Sequence, residues 1–278
     1  MEQLDQSCEQ NYTNERREFL KNCMTLAGAG IAGCVVLSDT MALADIVQAD
    51  DPRLVTQRVK YPAGDTEMMA YLARPKDDKK YPAVVVIQEI FGLNPHIEDV
   101  TRRIALEGFL AVAPDALTPL GGTAAVGADV MGAMRKLNQA ESVKNFTAAV
   151  EYLKTHPQST GKVGCTGFSW GGAMTNQVAV NAPDLKAAAP YYGTVAADED
   201  VPKIKSSMMC HYAETDAGIN AGIPGFEAAL KKAGVEYQIF TYPGTRHGFN
   251  NDTSQSYHKE AAAEAWKRTI DFFRQKLV

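Results

Sequence analysis

Three side-chain types, far apart in the chain, could together break an acyl bond: a hydroxyl, an imidazole and a carboxylate. The hydroxyl is Ser169, in the stretch "VGCTGFSWGGAM" (Val163–Met174), flanked two positions away by Gly167 and Gly171. A serine is a poor nucleophile until a base takes its proton. The spacing Gly-x-Ser-x-Gly between a strand and a helix is the pattern of a sharp turn that presents the serine oxygen. Side chains at either glycine would crowd such a turn, whose central residue is held in a strained conformation. The turn also leaves the Trp170 amide at a helix N-terminus, where unpaired N–H groups favour developing negative charge. The bland alternative is an ordinary tight turn with a small residue at its tip.

A base and an acid have to be found elsewhere. The five histidines are His96, His156, His211, His247 and His258. His156 lies near a helix C-terminus and His258 in a polar helix, so both read as solvated. His211 falls in a strand and reads as a satisfied core residue. His96 starts a helix close to Glu89 and reads as a pocket-rim residue. His247, in the polar loop "YPGTRHGFNND" after the last strand, is the expected base. The acid should lie between serine and histidine, and "CHYAETDAGIN" offers Glu214 and Asp216. Asp216, just beyond the strand, is preferred; it would hold the His247 tautomer and stabilise the imidazolium. A further carboxylate, Glu89 in "VIQEIFGLNPHIEDV", follows an apolar run and is costly to bury unless paired. It ends a central strand, where ligands bind in sheets of this kind, although a rim glutamate in water is the alternative. The next residue, Ile90, is expected to donate a second amide to an oxyanion.

These residues need a frame, and the frame is legible. "RLVTQRVKYP" and "EMMAYLARP" alternate in polarity and predict antiparallel strands. "YPAVVVIQEIFG" is continuously apolar, as for a central strand covered on both faces. "HIEDVTRRIALEG" puts Ile97, Val100, Ile104 and Ala105 on one helical face and stops at Gly108. Further strands are expected at "FLAVAPD", "GKVGCTGF", "LKAAAPYYG", "SSMMCHYAE" and "YQIFTYPG", with helices between most of them. "ALTPLGGTAAVGAD" reads as a Gly-rich loop. The alternation predicts an α/β fold: about eight strands, mostly parallel, flanked by helices, with no large cap.

Composition narrows the function classes. The chain has 278 residues, 45% apolar and 22% charged, with a formal net charge of −5. That is globular composition, and no long basic run supports nucleic-acid binding. Residues 1–44 differ from the rest. Arg16-Arg17 precede an Ala/Gly-rich apolar run that ends in Ala42-Leu43-Ala44. This predicts a twin-arginine export signal at 1–44, a single domain at 45–278, and a periplasmic or secreted product with no stable membrane insertion once the signal is cleaved. An alternative is lipid anchoring at Cys34, in the lipobox-like Ile31-Ala32-Gly33-Cys34. Cys165 and Cys210 remain after cleavage and are expected to be separate buried thiols.

Four stretches in order, "QEIFGLNPHIEDVTRRIALEGFLAVAPD", "GKVGCTGFSWGG", "AETD" and "YPGTRHGF", resemble the dienelactone hydrolase (carboxymethylenebutenolidase) family. The resemblance covers Val55–Leu277 and implies an α/β-hydrolase fold, no metal or other cofactor, and hydrolysis of an ester or lactone. It implies that Ser169, Asp216 and His247 form a triad, that Glu89 interacts with the nucleophile, and that Ile90 and Trp170 supply the oxyanion amides. Two departures stand out. The family usually carries cysteine where this chain has Ser169, so the serine is either a natural variant or a replacement. The family's substrate-binding arginines are missing after the histidine motif, which reads Gly248-Phe249-Asn250-Asn251; Arg246 and the distant Arg135 are the nearest candidates. Phe91, Tyr192 and Phe249 suggest an aromatic substrate pocket instead. The expected partner is a small ester or lactone, with the chain a monomer or small homo-oligomer. The rival class is an exported, non-catalytic small-molecule binder; the other alternative is a serine form of a thiol hydrolase with low activity.

Overall fold

The computed structural model describes residues 47–278. The expected export signal and Cys34 lie outside the described residues. Eight strands form one sheet: β1 (Leu54–Ala63), β2 (Thr66–Pro75), β3 (Tyr81–Ile87), β4 (Leu110–Pro114), β5 (Ser159–Phe168), β6 (Ala187–Tyr191), β7 (Ser207–Thr215) and β8 (Tyr237–Arg246). Their order is β1-β2-β4-β3-β5-β6-β7-β8. The β1–β2 and β2–β4 pairs are antiparallel and all others parallel. The helices are α1 (Pro95–Leu106), α2 (Thr123–Val126), α3 (Val130–Lys136), α4 (Gln139–Thr155), α5 (Trp170–Asn181), α6 (Ala217–Asn220), α7 (Ile223–Ala233) and α8 (Lys259–Leu277).

The apolar run of β3 explains the two-sided core. Its alternate residues point to opposite faces, as strand geometry requires. Ala83, Val85 and Ile87 pack with Phe146, Val150 and Leu153 of α4 and Met174 and Val178 of α5. Val84 and Val86 pack with Ile97, Val100 and Ile104 of α1 and Ile270 and Phe273 of α8. Helix α1 begins where Asn94 accepts a hydrogen bond from the Ile97 amide, and Pro95 occupies its first turn. The chain leaves that helix through Gly108 at φ +93°, close to the stop expected. Cys165 and Cys210 are both free and buried.

The expected loop after β4 is more ordered than its composition suggests. It contains a 3₁₀ turn at Thr118–Leu120 and the four-residue α2, followed by α3, which carries no apolar repeat long enough to announce it. Asp115 ties the segment down. Its Oδ1 accepts from the Leu117 amide and the Thr123 hydroxyl, and its Oδ2 from the Thr123 amide at 2.7 Å. Helix α4 starts at Gln139, because Asn138 caps it by accepting from the Glu141 amide at 3.0 Å.

Under α8 lies a closed polar cluster. His211 Nδ1 is 2.8 Å from the Tyr242 hydroxyl and Nε2 is 2.9 Å from Thr269 Oγ1. Tyr191 completes it, 2.6 Å from Thr269 Oγ1 and donating to the Ala265 carbonyl. A neutral imidazole, with one donor and one acceptor nitrogen, satisfies these partners. Burial, helped by the positive charge of Arg268, pushes the His211 pKa down to about 3. The unfolded chain therefore binds a proton below about pH 6.5 that the folded chain refuses until about pH 3. Stability should fall with acidification across that window, by at most about 1.4 kcal/mol per pH unit from this group. Urea titrations between pH 7 and pH 4 should show the slope, and His211→Gln should flatten it while lowering stability at pH 7.

Candidate active site

The site is built around a junction with no slack. Ser169 alone separates β5 from α5, at φ 55° and ψ −113°. Positive φ is uncommon for a residue with a Cβ and survives only where its surroundings enforce it. Here the Ser169 amide donates to the Tyr191 carbonyl at 3.0 Å. A Cβ on Gly167 would stand 2.3 Å from the Gly171 carbonyl oxygen. One on Gly171 would stand 2.4 Å from the carbonyl oxygens of Ile87 and Gln88. Both glycines are thus required by backbone-to-backbone approach. The second contact also lays the start of α5 against the end of β3, so that Ile90 and Trp170 become neighbours.

The other two side chains arrive by strand register. Thr215 at the end of β7 pairs with Arg246 at the end of β8, past a bulge at Ala213/Thr215. The residues that follow, Asp216 and His247, are therefore adjacent. Ser169 Oγ and His247 Nε2 are 2.7 Å apart, and His247 Nδ1 and Asp216 Oδ2 are 2.6 Å apart. An ionised Asp216 can only accept. The hydrogen therefore sits on Nδ1, and Nε2 is left to accept from the serine hydroxyl. Glu214, the alternative acid, is engaged elsewhere. Its Oε2 accepts from the Gly244 amide at 2.9 Å and clamps the strand that carries His247.

Glu89 is buried, not a solvated rim residue. Its hydrogen bonds go to Asn251, whose Nδ2 donates to Oε2 at 2.6 Å, and to the Tyr192 hydroxyl at 3.5 Å. No hydrogen bond joins Glu89 to Ser169. Desolvation raises the Glu89 pKa, against the opposing influence of His96, Asn251, His247 and Tyr192. Behind it runs an ionic chain that local sequence does not announce. Asp252 meets Arg103 at 2.5 Å and His96 Nδ1 at 3.1 Å, and Arg103 also pairs with Asp99. Burial would raise the Asp252 carboxyl, but hydrogen bonds and charge from His96 and Arg103 outweigh it and hold the group well below the usual range. His96 is itself only 3% exposed and therefore belongs to this network, not to a pocket rim. The one sequence signal was the polar run Asn250-Asn251-Asp252 shortly after His247.

Two of the three expected substrate contacts need correction. Tyr192 and Phe249 are fully buried. Tyr192 lies edge-on to the His247 ring, with centroids 5.1 Å apart, and Phe249 packs between Tyr192 and Tyr242. Large aromatic side chains gain most by such burial; Tyr192 backs the imidazole, Phe249 backs Tyr192, and neither is exposed to a ligand. Phe91 is 48% exposed and remains available. Ile90 and Trp170 are half-buried, and the Trp170 amide opens α5, where no intrahelical acceptor exists for it. Among the described residues no group of three or more His, Cys, Asp or Glu side chains could hold a metal ion, and no helix is long and apolar enough to cross a membrane.

A sequence model of dienelactone hydrolases matches residues 68–277. The chain belongs to the dienelactone hydrolase family. This family member is similar to a protein of Escherichia coli K12 named "Putative carboxymethylenebutenolidase", 32% identical over 83% of this chain and 90% of the relative. A Synechocystis protein of the same name is 35% identical over 80% of this chain and 97% of its own length. A crystal structure of a "Putative Dienelactone Hydrolase" from Klebsiella pneumoniae superposes with a TM-score of 0.73 at 30% identity, covering 80% of this chain and 99% of that one. The sheet and its flanking helices are those of the α/β-hydrolase fold, and the protein is a hydrolase.

The Glu89–Asn251 contact makes a testable demand on this dienelactone hydrolase family member. Asn251→Asp would set two carboxylates against each other in a buried place. It should cost about 3 kcal/mol of stability at neutral pH. Adding Glu89→Gln, which restores an amide donor, should recover most of the loss in urea unfolding.

Proposed function

We propose that the protein hydrolyses carboxylic esters or lactones through an acyl-enzyme on Ser169. The observation that supports this best is the unbroken hydrogen-bonded line from Ser169 Oγ through His247 to Asp216, with steps of 2.7 and 2.6 Å. His247 Nε2 takes the serine proton as Oγ attacks the carbonyl carbon. The tetrahedral oxyanion is held by the amides of Trp170 and Ile90, each worth about 3 kcal/mol. His247 then gives the proton to the departing oxygen, and Asp216 stabilises the imidazolium in the interval. Water repeats the sequence in reverse and frees the acid.

Serine suits this arrangement better than a thiol in need of a carboxylate partner, because Glu89 is already engaged by Asn251 and Tyr192. A hydroxyl requires a concerted base, and His247 is in contact with it. From the pattern of its first 44 residues, the enzyme acts after twin-arginine export; N-terminal sequencing of the secreted form would test cleavage after Ala44.

Three measurements bear on the mechanism. Ser169→Ala and His247→Ala should each abolish nearly all p-nitrophenyl acetate turnover, and Asp216→Asn should lower kcat by roughly 10⁴ through the wrong imidazole tautomer. A fluorophosphonate should label Ser169 in the parent and fail to label His247→Ala. Ser169→Cys should turn over the same esters more slowly; a faster cysteine form would show that serine is not the evolved nucleophile.

A further inference from the structure

A cavity of about 430 Å³ opens directly beside the two residues assigned to the oxyanion, and the catalytic steps do not account for it. Its walls include Ile90, Trp170, Ala173 and Met174 from the two sides of the elbow and Met134 from α3. Met134 and Met174 are buried at 3% exposure and make an apolar floor, whereas Arg135 and Gln139 stand at the mouth. The wall is held in place from behind. The Trp170 ring meets Phe146 edge-on at 5.9 Å, and Gln88 Nε2 lies 3.4 Å from the Met134 sulfur.

The sheet order and the oxyanion assignment together bear on which half of an ester this cavity serves. Ile90 follows β3, on one side of the β5 nucleophile; Asp216 and His247 follow β7 and β8, on the other. The leaving oxygen must receive its proton from His247, so the alcohol half departs on the β7–β8 side. The acyl half is the one not handed to His247, and the cavity adjoins its carbonyl through Ile90 and Trp170, the residues assigned to the oxyanion, with α3 beyond them; Thr194, after β6, also lines it. We propose that this cavity is an acyl pocket and that the preferred substrates carry an unbranched apolar acyl chain of several carbons. The inference rests on the acyl-enzyme reading of Ser169. An acetyl group would leave most of the space empty, and a floor of two methionines and a tryptophan adapts to a flexible aliphatic chain.

The test compares acyl lengths with alcohol lengths. For p-nitrophenyl esters, kcat/KM should climb by about fourfold per methylene from acetate toward hexanoate, the gain expected for transferring CH₂ groups into an apolar site. Ala173→Phe, which fills the cavity from α5, should collapse the hexanoate-to-acetate ratio within that variant while leaving the ratio of hexyl acetate to methyl acetate as in the parent. Binding gives a readout independent of turnover and of that variant. Sodium hexanoate should perturb the fluorescence of Trp170, one of two tryptophans, and the signal should persist in Trp266→Phe. A flat acyl series with ready acetate hydrolysis overturns the pocket and leaves the mechanism standing. A change in alcohol preference instead of acyl preference on Ala173→Phe also overturns it, as would an absent fluorescence response. No turnover of any ester, together with no fluorophosphonate labelling, would remove the mechanism and the pocket with it.

Discussion

The backbone at Ser169, held at φ 55°, is the constraint on which the rest of the structure depends. A residue with a Cβ adopts that conformation only under compulsion. The compulsion comes from the middle of the sheet, where β5 is paired on both sides, with β3 and with β6. It also comes from α5, whose first turn is pressed on the Ile87 and Gln88 carbonyls. One close approach thus fixes the direction of the hydroxyl, the placement of the Trp170 amide and the neighbouring position of Ile90. The position of the Ser169 hydroxyl belongs to the core as much as to the site.

His247 and Asp216 are held less deeply. The His247 side chain is 44% exposed and stands at the end of an edge strand. What keeps it in place is distributed: the Thr215–Arg246 pairing, the Glu214 clamp on Gly244, and the buried Tyr192–Phe249–Tyr242 stack behind the ring. In the proposed mechanism the imidazole passes a proton between two oxygens, and a partly exposed group supported on one face suits that role better than an immobilised one.

Much of this was written in local patterns. The elbow was legible because its glycines are forced by contacts within a short stretch of chain and against one neighbouring strand. The central strand was legible because a run such as Ala83–Ile87 has no other place to go than a sheet covered on both faces. His247 and Asp216 could be chosen because they follow strands that end in polar, turn-forming stretches. The ionic chain from Asp99 through Arg103 and Asp252 to His96 was not legible, since Arg103 and Asp252 are 149 residues apart and meet only through the tertiary fold. Tyr192 and Phe249 were misjudged for a related reason: an aromatic residue beside a reactive one looks the same in sequence whether it faces the cleft or supports it. Helix α3 went unseen because seven residues hold too few turns to show a period.

The wiring of Glu89 reaches beyond its own carboxyl. The side chain is tied to Asn251 and Tyr192 while the next peptide carries the Ile90 amide. Three loops, from three different strands, thereby share one anchor point beside the peptide that carries the proposed oxyanion donor. In the proposed mechanism the fold itself orders the segment that carries that donor. The corollary is one of reach: the Asn251 amide bears on the peptide that follows Glu89 across 162 residues of chain.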